Sequence, residues 1–238
     1  MWTCLAKGSL NLTALSGHEQ ATFHLWNSRF HGMLKEAHLH QSVPSYDSAR
    51  EICGNSFSGG LQVEILESFV ADLSSPENPL IRDPLDTAKF KIEDEEIWIS
   101  KKALDFHSPF FQNLFLQNSI ERAQDIYELK DVNIDQFIHF LGIIHDVPMI
   151  PDKDSVLYLL KLADRFMCKK VLQGCEEFLQ NAEDMTLVMR FRLADFFKLK
   201  KLLMDTVDKM SINALKSLPQ LGISQFASEL ISQKVFSF

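Results

Sequence analysis

The clearest local pattern is an alternation of apolar and polar side chains over residues 88–99, "AKFKIEDEEIWI". The apolar positions are Ala88, Phe90 and Ile92, then Ile97 and Ile99. Two period-2 segments joined by the acidic turn 93–96 predict a β-hairpin with one buried face. A cation site is a second interpretation of the turn, but no further ligand spacing follows it, so a solvated turn is favoured.

From residue 134 onward the apolar spacing becomes helical, at i, i+3, i+4 and i+7. The predicted stripes are Ile134, Phe137, Ile138, Leu141, Ile144; Val156, Leu159, Leu160, Ala163, Phe166; and Val171, Leu172, Cys175, Phe178, Leu179. Before them, the short run 126–129, "IYEL", predicts a strand. Residues 183–210 predict two further helices, and 211–236 predict a last pair.

The N-terminal half has weaker patterns. Leu61, Val63 and Ile65 alternate behind a Gly pair, which predicts a strand over 61–66 with one buried face. Three prolines in 74–84 predict a linker. Residues 1–60 are weakly periodic. We therefore expect an N-terminal region over 1–85, a domain over 86–180 and a helical extension over 181–238.

Composition narrows the function classes. The 238 residues are 46% hydrophobic, so they can bury a core, and the net charge of −8 disfavours a nucleic-acid partner. No stretch approaches a membrane span, and residues 1–17 lack the charged n-region and unbroken apolar h-region of a signal peptide, so a cytoplasmic or nuclear location is expected. A mitochondrial presequence is a second interpretation, because the first acid is Glu19, but Lys7 is the only base before Arg29.

Two clusters carry candidate chemistry. Asp105, His107 and Ser108 are the residue types of a hydrolase triad, but they stand too close in sequence to converge, and no GxSxG motif exposes the serine. Ser108 before Pro109 instead predicts a helix N-cap, with catalysis the second interpretation. His31, His38 and His40 are candidate metal ligands, but their spacing is loose and no cysteine partners them, so solvated histidines are favoured.

Four cysteines show neither CxxC spacing nor disulfide density, which favours a reducing compartment. Cys175 is interpreted as a small core residue rather than a nucleophile. No catalytic residue, cofactor or metal is therefore expected.

Three segments together resemble a BTB/POZ domain, especially the divergent BTB proteins of nematodes. They are "KFKIEDEEIWISKKALDFHSPFFQNLF", "IYELKDVNIDQFIHFLGIIH" and "VLYLLKLADRFMCKKVLQGCEEFL", collinear over about residues 86–180. The resemblance implies an α+β fold, in which a small mixed sheet is flanked by a helical cluster and followed by an all-helical extension. Residues 183–210, especially "LADFFKLKKLL", resemble the start of a BACK region.

Members of this family often carry an upstream MATH domain. About 85 residues precede the BTB-like segment, too few for a complete MATH sandwich. The N-terminal part is thus expected to be a truncated relic, a separate small element or partly disordered.

The resemblance also implies partners: a homodimer or hetero-oligomer of BTB proteins, and a cullin-type ubiquitin ligase for which the chain is an adaptor. The cullin-contacting motif aligns with Ser119, Ile120 and Glu121, with Ser119 at the hydrophobic position, and His145 replaces the usual helix-ending tyrosine. In the charged dimer pocket, Lys101 keeps a base. The usual Asp position is Thr87, next to Asp86.

These departures leave a second function open: an oligomerisation scaffold, or a transcription-associated interaction protein, without a cullin. An enzymatic function rests only on the cluster at 105–108 and scattered histidines.

Overall fold

The computed structural model describes residues 1–14, 20–32, 57–118, 126–218 and 222–236. The chain divides into two compact units. The first comprises residues 1–100 and 126–149, and the second comprises residues 101–125 and 150–238.

The first unit contains a three-stranded antiparallel sheet that the sequence analysis had not predicted as a whole. Strands β1 (Trp2–Ala14), β2 (Gln20–Gly32) and β3 (Phe57–Val70) pair in the order β2-β1-β3. Register shifts lie between Gly8 and Ser9 and between Leu5 and Ala6, where the strands bulge. The N-terminal residues therefore form a sheet despite their weak periodicity.

Strand β3 includes the predicted segment 61–66 but does not have the buried face we expected. Leu61, Val63 and Ile65 are 60%, 53% and 65% exposed. Alternation identifies an extended strand, whereas burial of one face also needs another layer packed against it. The prediction of a buried face is wrong for the described residues.

The proline-containing segment after β3 is hydrogen-bonded to β5 (Glu95–Ser100), the second strand of the predicted hairpin. Trp98 donates its backbone N–H to the carbonyl of Leu73 at 2.7 Å. The buried Asn78 side chain donates to the carbonyls of Ser75 and Trp98 at 2.8 and 3.1 Å. These bonds fix the segment at both its beginning and its middle.

A second, mixed sheet confirms the predicted hairpin and short strand. Strand β4 (Thr87–Ile92) pairs antiparallel with β5 and parallel with β6 (Ile126–Leu129). The five apolar hairpin positions are at most 5% exposed. Helix α3 (Ile134–Ile144) buries its predicted stripe, and the Phe90 ring lies 5.3 Å from Tyr127 and 6.3 Å from Phe137. These rings pack the mixed sheet against α3.

The acidic turn has a structural role that the sequence analysis missed. Glu93 has a positive φ of 53°, and its carboxylate accepts the backbone N–H of Ile134 at 3.2 Å. Asn133 caps the same helix through its side chain, which accepts from Gln136, and it also donates to Glu93. One residue of the hairpin turn thus satisfies an N–H group at the start of α3.

Helices are the only regular secondary structure among the described residues of the second unit. Its helices are α1 (Lys101–His107), α2 (Pro109–Asn118), α4 (Val156–Arg165), α5 (Lys169–Asn181), α6 (Leu187–Phe196), α7 (Lys200–Lys209), α8 (Ile212–Lys216) and α9 (Gln225–Phe236). All five apolar positions of the stripe predicted over 156–166 are buried. Helices α6 to α9 confirm the helical extension predicted over 181–238.

In this unit, side chains of one helix form hydrogen bonds with backbone groups at the ends of a neighbouring helix. The buried Arg190 guanidinium on α6 donates to the carbonyl of Gln180 in the last turn of α5. It also donates to the carbonyls of Ala182 and Met185, which follow that helix. Glu176 on α5 accepts the N–H of Leu202 at 3.0 Å in the first turn of α7. The Lys234 ammonium on α9 donates to the carbonyls of residues 207, 208 and 210 at the end of α7. Each helix thus stabilises an end of another.

No helix among the described residues has the length and apolar character needed to cross a membrane.

Candidate protein interaction site

Ser108 occupies the N-cap of α2, as predicted, and makes a second bond that the sequence did not indicate. Its hydroxyl oxygen accepts the backbone N–H of Phe111 at 3.3 Å, and the hydroxyl donates to the carbonyl of Phe166. The residue is fully buried. Because its proton is bound to a backbone carbonyl, this hydroxyl is not activated by a neighbouring base, and Ser108 has a structural role.

Phenylalanine rings hold α2 against the end of α4. Phe111 is fully buried, and its ring centroid lies 4.9 Å from that of Phe166 and 6.2 Å from that of Phe115. Phe110 lies 5.1 Å from Phe166. Two of these ring contacts and the hydrogen bond of the Ser108 hydroxyl involve Phe166, which ends α4. They hold the α1–α2 pair in a fixed position on α4.

Helices α1 and α2 each carry an exposed apolar side chain. Phe106 on α1 is 83% exposed and Leu116 on α2 is 62% exposed. The sequence contained a signal for Phe106, because it stands two positions after the buried Leu104, and such positions face apart on a helix. Large exposed apolar side chains on a rigid element are typical of a surface that contacts another protein.

The candidate dimer-pocket residues have different environments. Asp86 ends a short 3₁₀ helix, Pro84–Asp86, is 8% exposed and accepts the Ser100 hydroxyl at 2.5 Å. The Thr87 hydroxyl donates to the carbonyl of Pro84 at 3.1 Å. Lys101, the first residue of α1, is half-buried. A buried carboxylate bonded to a strand residue is a structural group in the isolated chain, and its role in a dimer stays a prediction.

The candidate cullin contacts are only partly within the described residues. Ser119, Ile120 and Glu121 lie outside them. His145 is the C-cap of α3, where it is half-buried and its backbone N–H bonds to the carbonyls of Leu141 and Ile143. The position aligned with the family tyrosine is therefore the C-cap of α3, and its contact with a cullin stays a prediction.

The cysteines described by the structure are not in disulfides, and two of them are buried. Burial, followed by the neighbouring Cys168, raises the pKa of the Cys175 thiol to about 12, and burial also raises the pKa of Cys168. A thiol with a raised pKa is protonated at neutral pH and is a poor nucleophile or metal ligand. The interpretation of Cys175 as a core residue is confirmed.

In the part of the chain that the structure describes, no three His, Cys, Asp or Glu side chains lie close enough together to bind a metal ion. The histidine candidates cannot be placed, because His38 and His40 lie outside the described residues, as does the side chain of His31.

Comparison with known proteins identifies part of the chain. Residues 83–183 match the family model of the BTB/POZ domain. The chain is 29% identical over 143 residues to BTB and MATH domain-containing protein 36 of Caenorhabditis elegans, which covers 60% of this chain and 42% of that protein. It is 32% identical over 111 residues to protein 38 of the same series and organism, covering 47% of this chain and 29% of that protein.

The chain therefore spans less than half the length of these two relatives. Among solved structures, the BTB domain of human gigaxonin aligns with a TM-score of 0.35 and 20% identity, over 41% of this chain and 80% of that chain.

The matched residues include both strands of the predicted hairpin, β6 and the helices α1 to α5. They also contain Ser108, the phenylalanine cluster around Phe166 and the exposed Phe106. The chain thus carries a BTB/POZ domain, a protein–protein interaction module, over residues 83–183.

Proposed function

We propose that this chain is a non-catalytic adaptor that self-associates through its BTB/POZ domain and binds a cullin-type scaffold of a ubiquitin ligase. The observation that carries self-association is the exposed apolar side of α1 and α2, above all Phe106 at 83% exposure. Burial of an exposed phenylalanine in a partner contributes about 1.5–3 kcal/mol to association. Formation of a dimer that buries this surface is therefore favourable in free energy.

The adaptor role would depend on proximity rather than chemistry. A chain that holds a scaffold and a client at once raises the effective concentration of each near the other. Glu121 supports the cullin contact, because it keeps the acidic position of the aligned motif. The client would bind outside residues 83–183.

A second function is favoured by a specific departure in sequence. The hydrophobic position of the aligned motif is Ser119, with the apolar Ile120 one residue late, and His145 stands where relatives have tyrosine. Loss of an apolar anchor at an interface hot spot costs about 1–2 kcal/mol, roughly tenfold in affinity. An oligomerisation scaffold that does not bind a cullin is therefore the alternative.

Self-association is tested by light scattering on the full chain. We expect a dimer for the wild type and a monomer for Phe106→Asp. Phe236→Asp is the matched control, because Phe236 is 87% exposed at the end of α9 and receives the same change. A monomeric wild type, or equal behaviour of both variants, would contradict the proposed surface.

Cullin binding is tested separately, with the purified N-terminal domain of a cullin and the same full chain. We expect binding that is lost in the double variant Ile120→Asp, Glu121→Lys. A dimeric wild type that fails to bind would refute the adaptor role and leave the scaffold as the function.

A further inference from the structure

Helix α6 is apolar on two sides, which is unusual for a helix on the surface of a domain. Its inner side is buried through Phe191 and Ala194, at 2% and 0% exposure. Its outer side exposes Val188, Met189 and Phe196, at 39%, 45% and 77%. The inner stripe alone is sufficient to pack the helix, so the outer stripe is available to another molecule.

The outer side of α6 borders a concave site. A cavity of about 370 Å³ is lined by Phe191, Arg192, Asp195, Phe196, Leu218 and Ile223, among other residues. Its volume lies at the lower end of the range of roughly 300–1,000 Å³ for ligand sites. Aromatic and aliphatic walls of this size suit the insertion of an apolar side chain.

The polar groups of the cavity leave a positive charge available. The carboxylate of Asp195 accepts the backbone N–H of Ser224 at 2.9 Å and also the Ser224 hydroxyl, so it is committed to the start of α9. Arg192 is exposed and makes no ion pair within the described residues. The cavity thus presents one guanidinium that is not in an ion pair among the described residues, next to a carboxylate whose oxygens are hydrogen-bonded to Ser224.

The residues near the cavity in sequence also carry a net positive charge. Apart from the buried Arg190, residues 186–204 contain four basic residues and one acid, a local charge of +3 in a chain of net charge −8. Lys198, Lys200 and Lys201 are all exposed next to the end of α6. The Lys200 ammonium lies 5.6 Å from the ring of Phe226 on α9, close in sequence to the cavity residue Ile223. Charge complementarity therefore favours an acidic ligand.

From these observations we infer that the α6 cavity is a docking site for an acidic peptide segment of a partner protein. An apolar side chain of the segment enters beside Phe191 and Phe196, and a neighbouring carboxylate binds the Arg192 guanidinium. Arginine suits this role because its planar group binds a carboxylate through two parallel hydrogen bonds. A peptide is favoured over an anionic membrane because the site is concave.

The test uses a phage-displayed library of random peptides selected on the full chain. We expect enriched sequences that combine an aromatic or aliphatic residue with Asp or Glu. A synthetic copy of the enriched peptide should bind the wild type and bind Arg192→Glu about tenfold more weakly, because charge reversal removes an attraction and adds a repulsion. Phe196→Ser should weaken binding as well.

Lys161→Glu is the matched control, since Lys161 is an exposed base on α4 that does not line the cavity. It should leave the affinity unchanged, and circular dichroism should show the same helix content in all three variants. Replacing the acids of the peptide by lysine should abolish binding to the wild type and restore binding to Arg192→Glu.

Several outcomes overturn the inference. They are failure to enrich any sequence, enrichment of sequences without acids, and equal affinity for Arg192→Glu and the wild type. If vesicles of phosphatidylcholine with phosphatidylserine bind the wild type but not Arg192→Glu, and no peptide does, the site is a membrane contact. If Phe196→Ser converts a dimer to a monomer, the surface is occupied by a second copy of the chain.

Discussion

Ser108→Ala tests whether the triad-like cluster at residues 105–108 is a structural joint. The substitution removes one oxygen atom and with it two bonds. The backbone N–H of Phe111 loses its cap, and the carbonyl of Phe166 loses a buried donor. The loss of an N-cap costs about 1 kcal/mol, and a buried polar group left without its partner costs about 1–3 kcal/mol. We expect a total loss of about 2–4 kcal/mol in the free energy of unfolding.

The matched control is Ser211→Ala, which makes the same change at the N-cap of α8. Ser211 is exposed, and its hydroxyl accepts the N–H of Ala214 at 3.2 Å. This serine supplies the cap without a buried second bond, so its loss should cost about 1 kcal/mol. The difference between the two variants isolates the bond to Phe166.

Urea denaturation of both variants measures this difference. Circular dichroism follows the helices of the second unit, and fluorescence follows the three tryptophans. Coincident transitions in the two signals would justify a two-state free energy. If Ser108→Ala and Ser211→Ala agree within about 0.5 kcal/mol, the bond to Phe166 contributes nothing and the reasoning fails. Stoichiometric labelling of Ser108 by a serine-reactive probe would also contradict the structural role.

Three further predictions follow from the packing. Arg190→Met should lower the free energy of unfolding by about 3 kcal/mol or more, since three carbonyls lose a donor, and Arg190→Lys should recover only part of it in urea titrations. The Cys175 thiol has its folded pKa raised to about 12 from 9.0, so its stabilisation is present below pH 9 and is lost as pH rises toward 12. At pH 10 this loss is about 1 kcal/mol, and Cys175→Ala should lack it; equal pH slopes would contradict the assignment. Gly142→Ala should lower the melting temperature, because its added methyl would lie 2.4 Å from the Met149 sulfur, and Met149→Ala should reverse part of the loss; an unchanged melting temperature would show that Met149 moves aside freely.

Short-range pattern was sufficient to predict several elements of the BTB/POZ domain, although α1 was not among them. The hairpin 88–99 and the stripes of α3 and α4 depend on apolar spacing alone, and each was buried as predicted. The N-cap at Ser108 depends on a local preference for serine before proline. Each of these features depends on residues only a few positions apart, so it can be predicted from the local sequence.

The N-terminal sheet shows what such patterns do not decide. Residues 2–14 carry small or apolar residues at every even position, from Trp2 to Ala14, and this alternation could have predicted β1. In β3 the alternation was recognised, but it does not reveal whether a second layer covers the strand. The exposure of Leu61, Val63 and Ile65 depends on what packs against the sheet, which local spacing does not encode.

The candidate sites divide in the same way. The apolar surface at Phe106 follows from helical geometry once α1 is placed, but the charge left at Arg192 depends on a distant bond. That arginine is available because Asp195 is committed to Ser224, which stands 29 residues later. Similarly, Glu176 satisfies Leu202 across 26 positions. No local rule connects residues at these separations.

These long-range caps join the BTB/POZ domain to the helices after it. The family match ends at residue 183, yet Arg190 beyond that limit holds carbonyls of residues 180 and 182 within it. In the other direction, Glu176 within the match completes the start of α7. A ligand that binds α6 and not its unfolded form stabilises every element whose integrity depends on α6. Occupation of the α6 cavity would therefore also stabilise α5, and a partner bound to the helical extension would act on the end of the domain itself.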